Sequence, residues 1–202
     1  MKIDAMKVDR TMEMIECYGP AELLTIALVS ILSLGDFSFP SILFQVFALQ
    51  FHMYIFHVIL HAMPEDMMFT FNTHLLLHHR KQYFINRTLE LTIEGIGNFS
   101  FIFCILFFQY YFNVHIFSTS IVLSAALLYT MMHIIQYSIF TDVHHALHHV
   151  NETCNYEPEI MDTLFGTRCE PDSPYKNMSI EFPYIFITFI IVGTLKVIFD
   201  FD

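Results

Sequence analysis

The chain has 202 residues, 55% of them hydrophobic and only 14% charged, with 23 Phe and no Trp. So much apolar surface does not fit inside a soluble core of this size, which predicts one polytopic membrane domain and excludes an ordinary soluble protein. The formal charge of −11, without any Lys/Arg cluster, excludes a nucleic-acid partner.

The first stretch, MKIDAMKVDRTMEMIE, is charged throughout and lacks the short apolar core of a secretory signal, so residues 1–20 read as a cytosolic segment. Apolar runs follow at Ala21–Leu34, Ser41–Met63, Phe99–Phe112, Ile116–Phe140 and Tyr184–Phe199. A helix crosses a hydrocarbon core in about 20 residues, so the second and fourth runs suffice alone while the first and third need their flanks. The links Gly35–Pro40 and Asn113–His115 are short, which predicts two antiparallel transmembrane helical hairpins. The fifth run is shorter, carries Lys196, and is read equally as a span or as an interfacial helix. The predicted fold is therefore all-α, with residues 21–182 as the membrane-embedded unit and 183–202 as a C-terminal apolar segment. Four cysteines without a CxxC pair predict no disulfide framework.

Lys2, Lys7 and Arg10 precede the first hairpin, Arg80, Lys81 and Arg87 lie between the hairpins, and Arg168 and Lys176 follow the second. The hairpin tips carry none. The positive-inside rule then places the N-terminus, the middle loop and the region after Phe140 in the cytoplasm. Every histidine cluster falls on that side, which predicts a cytosolic histidine-rich cap.

Nine of the twelve histidines fall in three windows: HVILH (His57, His61), HLLLHH (His74, His78, His79) and HHALHH (His144, His145, His148, His149). Residues four apart on a helix share a face, and each window contains such a pair. A lone histidine on an apolar face is usually a hydrogen-bonded core residue, and His52 and His115 read that way. Three clusters near a membrane surface read differently, because carboxylates are too few to serve every buried ring, and neutral imidazole is a common transition-metal ligand. Eight or nine imidazoles suit two ions. His133 joins the set if the helix breaks near Thr141–Asp142 and the chain folds back.

The three boxes in this order, with NY and DTLFGT after the last, resemble the fatty acid hydroxylase/sterol desaturase superfamily of integral membrane enzymes, across roughly Ser41 to Thr167. The second box reads HxxxHH here in place of the commoner HxxHH, and Glu157 stands where Gly usually follows Asn-Tyr. The resemblance implies a helical bundle with a dinuclear iron centre that uses dioxygen and two electrons to hydroxylate or desaturate fatty acyl chains or sterols. It matches His57 and His61 to the first box and His145, His148 and His149 to the third, leaving His144 as an extra. The full candidate ligand set is His57, His61, His74, His78, His79, His133, His144, His145, His148 and His149. Glu65, Asp66, Asp142 and Asp162 are candidates to accept the ligands' second ring N–H, and Asp162 serves equally as a turn residue ahead of Gly166. With no nucleotide-binding glycine motif or haem-attachment CxxCH, electrons come from an external chain of b-type cytochrome or reductase kind. A eukaryotic source implies the endoplasmic reticulum. Two rival readings stand beside this one: a redox-silent, histidine-rich zinc-binding membrane protein, and a non-catalytic relative of the family. Metal transport is disfavoured, because the apolar runs carry few acids and the histidines gather at their ends.

Overall fold

The structure is a computed structural model that describes residues 5–64, 74–79, 86–140, 142–170, 174–176 and 178–202. Its elements are helical, with no strand among the described residues. Helix α1 covers Ala5–Ser33, so the apolar run from Ala21 is its second half. Helix α2 (Phe39–Ala62) starts where Pro40 occupies the first turn, a position that has no helical N–H partner to lose. Helix α3 (Arg87–Phe112) starts at Asn86, whose side chain accepts from the Leu89 amide, and ends on Asn113 in the left-handed conformation. Helix α4 (Thr119–Met132) continues as a π-helical stretch, His133–Ile139. Two short helices follow, α5 (Val143–Val150) and α6 (Glu159–Phe165), then a 3-10 turn at Met178–Glu181 and α7 (Phe182–Phe199).

Five helical segments are long and apolar enough to cross a membrane: Met12–Ser33, Phe39–Ala62, Arg87–Phe112, Thr119–Gln136 and Phe182–Phe199. They are compatible with an integral membrane protein. The fifth apolar run thus meets the length and composition of a span. Val29, Ile42, Leu49, Met53, Ile102, Ile121, Val122 and Ala126 pack as the core between the helices. Large apolar residues also face outward, among them Phe44, Phe107, Phe108 and Ile190. Such surface is costly in water and natural against lipid.

Polar contacts fix which helix ends meet. At one end the Ser33 and Ser118 hydroxyls lie 2.9 Å apart, and the Ser118 amide donates to Gln45 Oε1 at 2.7 Å. There too, Gln109 Oε1 accepts from the amides of Ile116 and Phe117, while its Nε2 donates to the Phe117 carbonyl at 3.0 Å. Ser120 donates from both its amide and its hydroxyl to the Asp202 carbonyl. The C-terminal ends of α1, α3 and α7 therefore join the N-terminal ends of α2 and α4. Gln109→Ala is expected to lower stability by about 1–3 kcal/mol or more, since two link amides lose their acceptor. Denaturant titration of the detergent-solubilised protein measures it.

Cys154 and Cys169 form a disulfide, contrary to the expectation that the cysteines stand apart. Spacing alone does not bring them together. The Asn155 amide donates to the Thr167 carbonyl at 2.7 Å, and the Cys169 amide to Asn155 Oδ1 at 2.9 Å, so hydrogen bonds through Asn155 close the same loop. His115 is also not a core residue: it is exposed and pairs with Asp202 Oδ2 at 2.7 Å. His52 stacks on Phe101 with ring centroids 4.8 Å apart.

Candidate metal centre

The C-terminal end of α2, the N-terminal end of α3, the end of α4, helix α5 and the segment His74–His79 meet opposite the link residues. Eight of the histidines in the three windows, with His133, converge there. His57, His61, His74, His79 and His148 form one group, each offering a nitrogen, all within 4.8 Å of one another. His78, His133 and His145 form a second, and His149 with His78 and His79 connects the two.

Local helix geometry explains how adjacent residues serve different groups. His74–His79 is π-helical, a wider turn closed by i→i+5 bonds. Within it His74 and His79 share the first group, with their Nε2 atoms 3.2 Å apart, while His78 enters the second. An α-helical reading pairs His74 with His78 instead. Helix α5 divides its rings similarly: His148 goes to the first group, and His145 and His149 meet His78. Its start is set by Asp142, which accepts from the amides of His144 and His145.

Nitrogen spacing tests the fit to metal. The Nε2 atoms of His78, His145 and His149 form a triangle with sides of 2.8, 3.0 and 3.0 Å. In the first group, His61 Nε2 is 3.0 Å from His148 Nε2 and 3.2 Å from His74 Nε2. An imidazole Nε2 carries at most one proton, and such mutual approaches leave lone pairs directed at each other without a shared hydrogen for each contact. A cation at the common point removes that conflict. Metal–nitrogen bonds are about 2.0–2.1 Å, so two of them at right angles put their nitrogens about 2.9 Å apart. The residues fit a pair of ions.

The outer ring nitrogens complete the pattern. His57 Nδ1 meets the Tyr156 carbonyl, and His148 Nδ1 meets the Cys154 carbonyl at 2.6 Å. His78 Nδ1 lies 2.8 Å from Glu94 Oε1, which also receives the Ser138 hydroxyl at 2.7 Å and approaches His133 Nε2 at 2.9 Å. Glu152 stands 3.8 Å from both His61 Nδ1 and His79 Nδ1, and Glu157 is 3.9 Å from His145 Nδ1. For His57, His78 and His148, an Nδ1 held by an oxygen fixes the tautomer that leaves Nε2 for a metal, whereas His133 turns its Nε2 toward Glu94.

Of the carboxylates expected from sequence to act in this way, none takes a ligand ring among the described residues. Asp142 caps α5 and pairs with Lys176 at 3.1 Å. Asp162 accepts from the amides of Tyr156 and Glu157 and from the Thr167 hydroxyl, holding the loop that presents the Tyr156 carbonyl to His57. Glu65 and Asp66 lie outside the described residues. His144 lies in neither group; its ring lines a neighbouring cavity, and its carbonyl accepts from Asn155. Glu94 takes the place of the expected acids at hydrogen-bond distance, with Glu152 and Glu157 standing farther off at 3.8–3.9 Å. Only Glu94 carried a usable signal, as an acid inside a segment apolar enough to span.

Burial lowers the basicity of the rings outside the spanning segments. His78 and His148 are each brought from the ordinary 6.5 to about 4, chiefly by desolvation, with Glu94 and the Cys154 carbonyl respectively opposing. Burial and neighbouring histidines drive His74, His79 and His145 down as well. A histidine with a folded-state pKa below its unfolded value favours folding fully above about 6.5, and that contribution fades as pH falls toward about 4. The metal-free chain is therefore expected to lose thermal stability over that interval. The metal-loaded chain should hold its ions to lower pH than exposed histidines would, because protons compete only near the depressed values. Melting curves and metal retention measured against pH check both.

No family profile, curated protein or solved structure matches the chain.

Proposed function

We propose that this chain is a membrane-embedded lipid oxidase, a C–H hydroxylase or desaturase of fatty acyl or sterol substrates that works through a histidine-held pair of iron ions. The observation that carries the reading is the convergence of two sets of Nε2 atoms at ligand spacing, each ring backed by an oxygen where its Nδ1 is bound. His57, His61, His74, His79 and His148 would hold one ion, and His78, His145, His149 and His133 the other. When bound, such a pair supplies the oxidising power toward an unactivated alkyl carbon that no protein acid or base has.

The chain's own residues set the conditions for that chemistry. Glu94 and the carbonyls of Cys154 and Tyr156 orient the imidazoles they touch, and the apolar spans keep water from the lipid face. Hydroxylation joins R–H, O2, two electrons and two protons to give R–OH and water; desaturation removes two hydrogens from adjacent carbons and yields two waters. The electrons come from an external b-type cytochrome or reductase chain. The residues between the two hairpins and after α4 form the cytosolic face in this reading, consistent with the positions of Lys and Arg.

Metal analysis of protein purified with its lipid, followed by oxygen-dependent lipid profiling of expressing cells, tests the proposal. Two irons per chain and a newly hydroxylated or unsaturated lipid are expected. Zinc alone, with unchanged lipids despite a supplied reductant, would replace it with the redox-silent zinc reading.

A further inference from the structure

A cavity of about 160 Å3 lies between α1, α2, α4 and α7 and reaches the loop beside the histidines. Its wall is mostly aliphatic and aromatic, with Leu28, Val29, Leu128 and Phe189 along the helices. Among the described residues, four buried polar atoms of its lining have neither a hydrogen-bond nor an ion-pair partner: the hydroxyls of Tyr18, Ser124 and Thr188, and Glu181 Oε1. Buried polar groups are normally satisfied, so a group of orphans around one space points to a ligand.

The charges point to its chemistry. Lys176 is engaged with Asp142 at 3.1 Å and with Gln136 Oε1 at 2.7 Å, and Arg168 with Glu159 at 3.0 Å. Among the described residues neither Glu22 nor Glu181 has a cation at ion-pair distance, Lys176 acting on Glu181 only from farther off; Glu22 receives Gln50 Nε2 at 2.6 Å. Glu181 is 4% exposed and stands at the start of α7 without capping an amide, so helix capping does not explain it. Glu22 lies inside a spanning segment, where an acid is costly unless it serves a site. We propose that this cavity binds a long-chain aliphatic amine, its ammonium group between Glu181 and Glu22 and its chain along the apolar wall. Burial holds the Glu181 carboxyl up to about 8, with Glu22 and Asp142 adding to the rise and Lys176 opposing it; an arriving cation relieves that cost. Binding stands on the cavity alone; calling the amine the substrate rests on the proposed oxidation.

Octadecylamine and octadecanol are titrated against the protein in phosphatidylcholine nanodiscs, in competition with a fluorescent long-chain amine. The amine is expected to bind at least about tenfold more tightly than the alcohol, and Glu181→Gln and Glu22→Gln each to remove most of that preference. Unchanged metal content in both variants shows that they fold. Leu128→Trp, which fills the apolar wall, should weaken both probes together. Equal affinity for amine and alcohol, a preference that survives both substitutions, or no saturable binding would overturn the assignment. Amine preference without any oxidised lipid keeps the site and removes the oxidation.

Discussion

His148→Ala is expected to release the ion of the first group, lowering bound metal from about two per chain to about one, and to abolish turnover. The ring is fully buried. Its Nε2 faces His61 at 3.0 Å and its Nδ1 is held by the Cys154 carbonyl, so truncation removes a donor and strands a buried carbonyl at once. His145→Ala should release the other ion instead, because its nitrogen belongs to the triangle with His78 and His149. His144→Ala, on the same helix but in neither group, should leave both in place. Elemental analysis of the three purified variants gives the comparison. Retained turnover in His148→Ala would count heavily against the proposed chemistry, and equal metal loss in all three would count against two separate groups.

Glu94→Gln is expected to weaken metal in the second group by about 10–100-fold while sparing the first. Glu94 Oε1 is the shared acceptor beside His78 and His133 and also takes the Ser138 hydroxyl. Glutamine keeps the size but withdraws the negative charge that strengthens both imidazole contacts. Competition with a chelator, read for each ion separately, measures the difference. An affinity equal to that of the unaltered protein would show that the acid orients nothing.

The sequence made the histidines legible because spacing of four puts rings on one helix face, a local property. Which rings meet is a tertiary property. His74 and His79 share a group within a π-helical segment, and no hydrophobic period announces either the segment or the pairing. Glu94 is hidden differently: it stands among apolar neighbours on α3, and its partners come from the π-helical end of α4 and from the segment after α2. Helical runs were readable where residues were continuously apolar, as in Ser41–Met63. The start of α3 was not, since Arg87–Asn98 mixes polar and apolar residues and only the Asn86 cap marks it. Cys154 and Cys169 were invisible as a pair because hydrogen bonds through the backbone and side chain of Asn155, and not motif spacing, close their loop.

Fifteen residues of α3 separate Gln109, at the linked end of the bundle, from Glu94, beside the histidines. At 1.5 Å per residue that is about 22 Å, less than the roughly 30 Å of a hydrocarbon core. Were Gln109 to stand at one boundary of a bilayer, the imidazole layer would lie within acyl-chain reach of the opposite headgroups and not far above them. The thickness of the bilayer would then set the distance between rings and headgroups, and a thinner one would bring headgroups and water to the level of the rings.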